Sequence, residues 1–379
     1  MQTLIIFSHL RWDFVYQRPQ QLMSRLARHY RIVFIQEPGP AEPAEMGAGA
    51  GWQSSEPLPQ LTVLRLLTPA GKRGFDQGDP QLLREKLAAL HRQYPNPIAW
   101  LYTPMAMPLL DALDPLMVIY DCMDELSAFM NPPAGLIDYE RRLLERADLV
   151  FTGGPSLYAS KRGRSANVHC FPSSVDRAHF RKALDRNIAY APHDALPRPR
   201  LGFFGVLDER IDIALIARIA EAHPAWQLVL VGPVAKIDPA SLPQRPNIHY
   251  MGQQPYALLP AFLASWDVCL MPFALNDATR FISPTKSLEY MAAELPVVST
   301  AVTDVVEQHA EVVAIAHSAT EFIHCCAQAL SMSAAERQRM IRQMRAKLSG
   351  TSWDATVAEM QQLIGQAQGA PSAAGTGVP

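Results

Sequence analysis

Charge is scarce in this sequence. Only 18% of its 379 residues are Asp, Glu, Lys or Arg, and the two signs nearly cancel at a net charge of −2. With no basic excess and no clustered Lys or Arg, an electrostatic footprint for nucleic acid is excluded. Long apolar runs are also missing: no window of about 18 apolar residues occurs, so no membrane-spanning helix is expected. Met1 to Phe7 enters an apolar strand without a charged leader, which argues against a secretory signal and for a cytoplasmic location. The five cysteines, Cys122, Cys170, Cys269, Cys325 and Cys326, form no Cys-x-x-Cys and have no His at zinc spacing, so they read as reduced core thiols. Gly-x-Ser-x-Gly and Gly-x-x-x-x-Gly-Lys-Ser/Thr are absent, which disfavours an α/β hydrolase and a P-loop ATPase. Ser283-x-x-Lys286 matches one element of the serine acyl-enzyme signature, yet its companion tripeptides Ser-Asp-Asn and Lys-Thr-Gly do not occur.

What the chain does have is alternation. Strand-like runs at Leu4–Phe7, Ile32–Gln36, Val63–Leu67, Ile98–Tyr102, Val118–Asp121, Leu149–Thr152 and Val168–Phe171 are separated by helical patterns, which predicts right-handed βα units and a parallel sheet. The Ala-, Gly- and Pro-rich stretch Gly39–Pro59 reads as a surface loop, and no strand leads into Gly47, Gly49 and Gly51. The polar stretch Arg181–Arg200, with Pro192, Pro197 and Pro199, reads as a linker. Alternation then restarts with strands at Leu201–Phe204, Gln227–Val231, Ile248–Tyr250, Val268–Met271, Val297–Thr300 and Val312–Ala314. Two tandem Rossmann-like α/β domains are therefore expected, over residues 1–185 and 200–349. A last helix over 351–365 and a disordered Ala/Gly/Ser/Pro tail over 366–379 complete the reading.

The most informative stretch runs from Phe281 to Pro296. Ser283 suits an N-cap, Pro284 the first helical position, and Leu288, Met291, Ala292 and Leu295 repeat at helical spacing. Lys286 stands where a capping box wants Glu or Gln, a cation against the positive end of the helix dipole. A phosphate bound at that end would turn this unfavourable contact of about 0.3–1 kcal/mol into a favourable one. Glu289 follows one turn deeper on the same face, suited to sugar hydroxyls. A solvated Lys with a Glu partner fits the spacing equally well.

Other segments extend the pattern: Ser8 to Phe14 with Gln17 to Gln20; Tyr120 to Glu125; Ala147 to Val150; Val175-Asp176 with Phe180; Gly202 to Gly205; Met251-Gly252 with Tyr256 and Leu259-Pro260; Asp267 with Met271 to Phe273; and Ser283 to Tyr290 leading to Pro296. In this order they resemble the GT-B glycosyltransferases, most closely the family 4-like bacterial enzymes of exopolysaccharide and cell-surface glycan assembly. The resemblance covers residues 1–365. It implies a GT-B fold with an interdomain cleft and a terminal helix crossing back onto the first domain. It also implies transfer of a sugar from a nucleotide-diphosphate sugar to a glycan or lipid-linked acceptor, without metal and with retention, by a protein peripheral to the inner membrane face. Donor contacts are then expected from Gly205, Arg210, Ser283, Pro284, Thr285, Lys286 and Glu289.

Departures are plain. Val206 occupies the place of a phosphate-binding Arg, for which Arg210 is the expected substitute, and Phe281 replaces a carboxylate that contacts the donor sugar. Glu294 stands where a helix-ending glycine is common. On the acceptor side His9, Asp13 and Asp121 are the candidate catalytic groups and Arg11, Trp12 and Arg18 the candidate acceptor contacts, all at strand C-termini. Helix capping for Asp121, a loop hydrogen bond for His9 and simple packing for Trp12 and Phe14 remain open alternatives. Asp121, Asp124 and Glu125 together also fit a metal cluster. Arg25, Arg28 and Arg31 are too few for a claim on anionic lipid. An epimerase on the same scaffold and a non-catalytic nucleotide-sugar-binding protein are the rival functions.

Overall fold

The computed structural model describes residues 1–40, 51–69, 72–185, 187–188, 195–283 and 285–369. Gly47, Gly49, Pro192, Pro284 and the tail from 370 onward lie outside the described residues. The first sheet is built from β1 (Thr3–Ser8), β2 (Arg31–Pro40), β3 (Gly51–Leu58), β4 (Leu61–Thr68), β5 (Ile98–Leu101), β6 (Met117–Cys122), β7 (Leu149–Thr152) and β8 (Val168–Cys170). Their order is β3-β4-β2-β1-β5-β6-β7-β8. Strand alternation sends Ile5 and Phe7 into one core and Leu4 and Ile6 into the other, so helices cover both faces, as parallel sheets require.

One strand departs from the sequence reading. Gly51–Leu58, expected as loop, pairs antiparallel with β4 at the sheet edge. Most of its side chains are exposed, so no apolar alternation marks it. Its backbone hydrogen bonds to β4 hold it, and Pro57 is tolerated because one edge stays unpaired.

The second sheet contains β9 (Arg200–Phe204), β10 (Gln227–Val231), β11 (Ile248–Tyr250), β12 (Val268–Met271), β13 (Val297–Thr300) and β14 (Ala314–Ala316), all parallel, in the order β11-β10-β9-β12-β13-β14. β14 starts two residues later than the apolar run suggests. The N–H groups of Val312 and Val313 both donate to the His309 carbonyl, ending the helix Thr303–His309 before the ladder can begin. Winding reverses at β1 in the first sheet and between β9 and β12 in the second, the places where open α/β sheets bind ligands.

The last helix, Trp353–Gly369, extends past Gln366, where the sequence reading placed the start of a disordered tail. Trp353, Val357, Met360 and Ile364 share one face and are buried against Leu4, Ile6, Leu22 and Phe34 of the first domain. Arg25 and Arg28 reach Asp354 on the same helix, at 3.3 and 3.6 Å. Those two arginines thus brace the crossover.

Candidate active site

The segments after β1 and β9 line one cavity of about 670 Å³ between the domains. Trp12, Asp13, Phe14 and Gln17 come from the first domain; Gly205, Arg210, Thr285, Lys286 and Glu289 come from the second. The cavity shares Gln17, Arg210, Thr285 and Lys286 with a narrower recess of about 100 Å³ that reaches Arg18, Asp124 and Ser283.

Gly205 sits at the end of β9 with φ +147°, a conformation that disfavours side chains. A Cβ there would lie 2.3 Å from the Lys286 Cε, so the missing side chain is what admits the lysine to the cleft. Lys286 is half-buried, with its ammonium 5.7 Å from the Phe203 ring and 5.8 Å from that of Phe273. Burial, and then the Arg210 charge, push its pKa down, while Glu289, Asp208 and Asp124 oppose the shift. Glu289, buried on the next turn of the helix Thr285–Ala292, has its pKa raised by burial, with Lys286 resisting. Among the described residues neither the Lys286 ammonium nor the Glu289 carboxylate makes a hydrogen bond or an ion pair. Desolvating charges without close partners is costly, so the helix start is complementary to a ligand that carries anionic and hydroxyl groups.

Two of the expected donor contacts are occupied otherwise. The Ser283 hydroxyl accepts from the Ser173 N–H at 3.2 Å, and the Thr285 hydroxyl donates to the Ser173 hydroxyl at 2.7 Å. The helix start therefore abuts the segment after β8, and these hydroxyls join the domains. Arg210 is held by buried Asp208, with Nε at 3.0 Å from Oδ1 and Nη2 at 2.6 Å from Oδ2, while still lining the cleft beside Lys286. Phe281 packs onto the first domain's core with Arg280 over its ring at 5.2 Å, so this position serves domain packing. Glu294 takes the left-handed conformation, φ 59°, at the helix end and pairs with Arg345 at 2.7 Å.

On the acceptor side the structure separates the candidates. Asp121 is fully buried, and Arg18 clamps it, with Nη2 to Oδ1 at 2.9 Å while Nη1 donates to the Phe171 carbonyl at 2.8 Å. Burial raises the Asp121 pKa and Arg18 opposes the rise. This carboxylate ties the first helix to β6 and has no surface from which to act as a base. His9 follows β1; burial, helped by the Lys236 charge, pushes its pKa down to about 4, so it is neutral at physiological pH. Asp13 and Arg11 pair at 3.3 Å, with the Asp13 side chain 67% exposed at the cavity mouth. Trp12 packs edge-on against Phe34 at 5.2 Å while also lining the cavity. The metal reading of Asp121, Asp124 and Glu125 is not supported: Asp121 belongs to Arg18, and Glu125 accepts from buried Lys161 at 2.7 Å. Among the described residues no group of His, Cys, Asp and Glu is placed to hold a metal ion.

Sequence reasoning passed over Asp124 as an acid in its own right. It lines the recess opposite Arg210 and Lys286, and burial raises its pKa against the pull of Arg210 and Lys236. Its loop is fixed from behind, because Lys161 binds both Glu125 and Glu140 at 2.7 Å and Tyr120 donates to Glu140 at 3.0 Å. Tyr256 was quoted only as part of a pattern. It stacks on Tyr16 at 4.5 Å and on His179 at 4.1 Å, accepts from Gln21 at 3.0 Å and closes the cleft's side. Gln253 donates to the Phe14 carbonyl across the same junction.

Residues 198–332 match the family described as glycosyl transferases group 1. Over 97% of its length the chain superposes on a sucrose-phosphate synthase from Thermosynechococcus elongatus, with a TM-score of 0.73, 18% identity and 99% of that chain covered. The chain has a GT-B fold, and its residues 198–332 are similar to the group 1 glycosyl transferases. A second GT-B structure, trehalose-6-phosphate from E. coli bound with UDP-2-fluoro glucose, superposes with a TM-score of 0.69 and 11% identity, covering 97% of this chain and 99% of that one. Among curated proteins, "Putative teichuronic acid biosynthesis glycosyltransferase TuaH" of Bacillus subtilis is 28% identical over 220 residues. That match spans 52% of this GT-B chain and 54% of the relative, about half of each.

Proposed function

We propose that this protein is a glycosyltransferase that moves a sugar from a nucleotide-diphosphate sugar to a glycan or lipid-linked acceptor in surface polysaccharide biosynthesis, without metal and with retention. The observation that carries the reading is the pair Lys286 and Glu289, without close partners and side by side at a helix start inside the interdomain cleft. The diphosphate would lie against the Lys286 ammonium, the Arg210 guanidinium and the helix amides, and Glu289 would accept the ribose hydroxyls. Transfer breaks the bond between the anomeric carbon and the diphosphate oxygen and forms one to the acceptor oxygen. With Asp121 engaged by Arg18 and His9 made a weak proton acceptor by its lowered pKa, the departing phosphate is the natural recipient of the acceptor proton, which favours retention. The TuaH match and the UDP-2-fluoro glucose bound to one fold neighbour agree with this substrate class.

The rival with an observation behind it is a non-catalytic nucleotide-sugar-binding protein, because Phe281 fills the place of the sugar-contacting carboxylate. One experiment separates the readings. The purified protein is incubated with a panel of nucleotide sugars in EDTA, with and without lipid-linked acceptors, and products are followed by mass spectrometry and by NMR of the anomeric proton. Acceptor-dependent diphosphate release with retained configuration is expected. Sugar conversion without acceptor would indicate an epimerase, and binding without turnover a sensor. Among the described residues no helix is long and apolar enough to cross a membrane, so contact with a lipid-linked acceptor would be peripheral.

A further inference from the structure

The second domain carries a further cation beside Arg210, and the first domain supplies what holds it. Lys236, in the segment after β10, has its Nζ 4.0 Å from the centre of the Phe129 ring. Arg210 lies over the same ring, with Cζ at 5.4 Å. Phe129 belongs to the first domain, at the end of the loop that Lys161 anchors through Glu125. One aromatic ring thus gathers two cations from the opposite domain, and a ring's negative face attracts a cation. Without it, like charges would be held together only by their carboxylates, Asp208 for Arg210 and Glu209 for Lys236 at 3.6 Å. The Lys236 side chain is 50% exposed, and its charge is felt at both His9 and Asp124 on the first domain's side of the cleft. The half-exposed ammonium thus stands on the same ring as Arg210, which lines the cleft.

We propose that Phe129 is a positioning residue that holds Lys236 and Arg210 as a second phosphate clamp, assembled across the domain interface and standing in for the arginine that Val206 replaces. The inference rests on the donor site proposed above and adds its specificity. Lys286 and the helix start recognise one phosphate, and the Phe129-braced pair recognises the other. Discrimination of a nucleoside diphosphate from a monophosphate therefore depends on the first domain, although the nucleotide site itself belongs to the second.

The test is calorimetric titration of the full chain with the common ribonucleoside di- and monophosphates, for wild type, Phe129→Leu, Phe129→Trp and Lys236→Met, with melting temperatures recorded in parallel. Wild type should prefer the diphosphate. Phe129→Leu and Lys236→Met should weaken diphosphate binding by roughly two- to tenfold while leaving monophosphate binding unchanged, and Phe129→Trp should restore the preference. Equal losses for both ligands in Phe129→Leu, with or without a lowered melting temperature, would mark a merely structural role and overturn the inference. Unaltered diphosphate affinity in Lys236→Met would overturn it as well. If wild type binds no nucleoside diphosphate at all, the donor-site reading itself falls, and this inference with it.

Discussion

The two walls of the cleft differ in which charges they leave without close partners. On the first domain's wall the ionisable side chains are mostly consumed in pairs: Arg18 with Asp121, Lys161 with Glu125 and Glu140, Arg11 with Asp13. On the second domain's wall Arg210 and Lys236 are paired as well, with Asp208 and Glu209, but Lys286 and Glu289 at the start of a helix lack close partners. Paired charges in a buried setting are architecture, because breaking one leaves the other stranded. Unpaired ones lower stability in the free protein and become favourable only when something binds. The contrast tells scaffold from site without reference to any relative.

The largest effect that would test this contrast is on the paired wall. Arg18→Ala should destabilise the protein by about 3–5 kcal/mol, read from urea unfolding, because Asp121 would be left charged and buried without its partner. An unchanged midpoint would show that the pair is not structural. Next, on the unpaired wall, Lys286→Ala should weaken nucleoside diphosphate binding by roughly 10- to 100-fold. The melting temperature of the free protein should stay level or rise, and a fall would place Lys286 with the scaffold. The smallest effect concerns pH. The folded-state pKa of Glu289 lies above its unfolded value, so the folded protein holds more protons between the two and its stability falls as pH rises through that window. Glu289→Gln removes this loss and should gain on wild type as pH rises above the ordinary carboxylate range. Parallel stability curves from pH 5 to 8 (roughly the carboxylate-to-neutral range) would contradict the burial of a titrating carboxylate.

The fold was legible wherever burial writes itself into the sequence. Both faces of β1 are covered, and Leu4 to Phe7 is uninterrupted apolar sequence. β3 was not legible, because a solvent-facing edge strand is held by backbone pairing, and Ser54, Ser55, Glu56 and Pro57 carry no periodic signal. The same division runs through the site. Lys286 was visible because it contradicts a local rule, the preference for an acid near a helix start, and such contradictions gather where a ligand completes the structure. Asp121 looked equally promising at a strand end, but its partner lies 103 positions away, at Arg18. Ser283 and Thr285 looked like cap and amide donors, and turned out to bind a serine from the other domain. Phe129 and Lys236 left no local mark, since their meaning arises only when the two domains face each other.

The terminal helix carries a consequence for biosynthesis. Leu4 and Ile6 leave the ribosome early, yet Trp353, Val357, Met360 and Ile364, which cover that side of the sheet, are translated more than 300 positions later. Until then the nascent chain presents an unroofed apolar surface while its second half is being made. Completion of the first domain must wait for synthesis of the second, a natural demand for chaperone protection, and the two halves mature as one product rather than in turn.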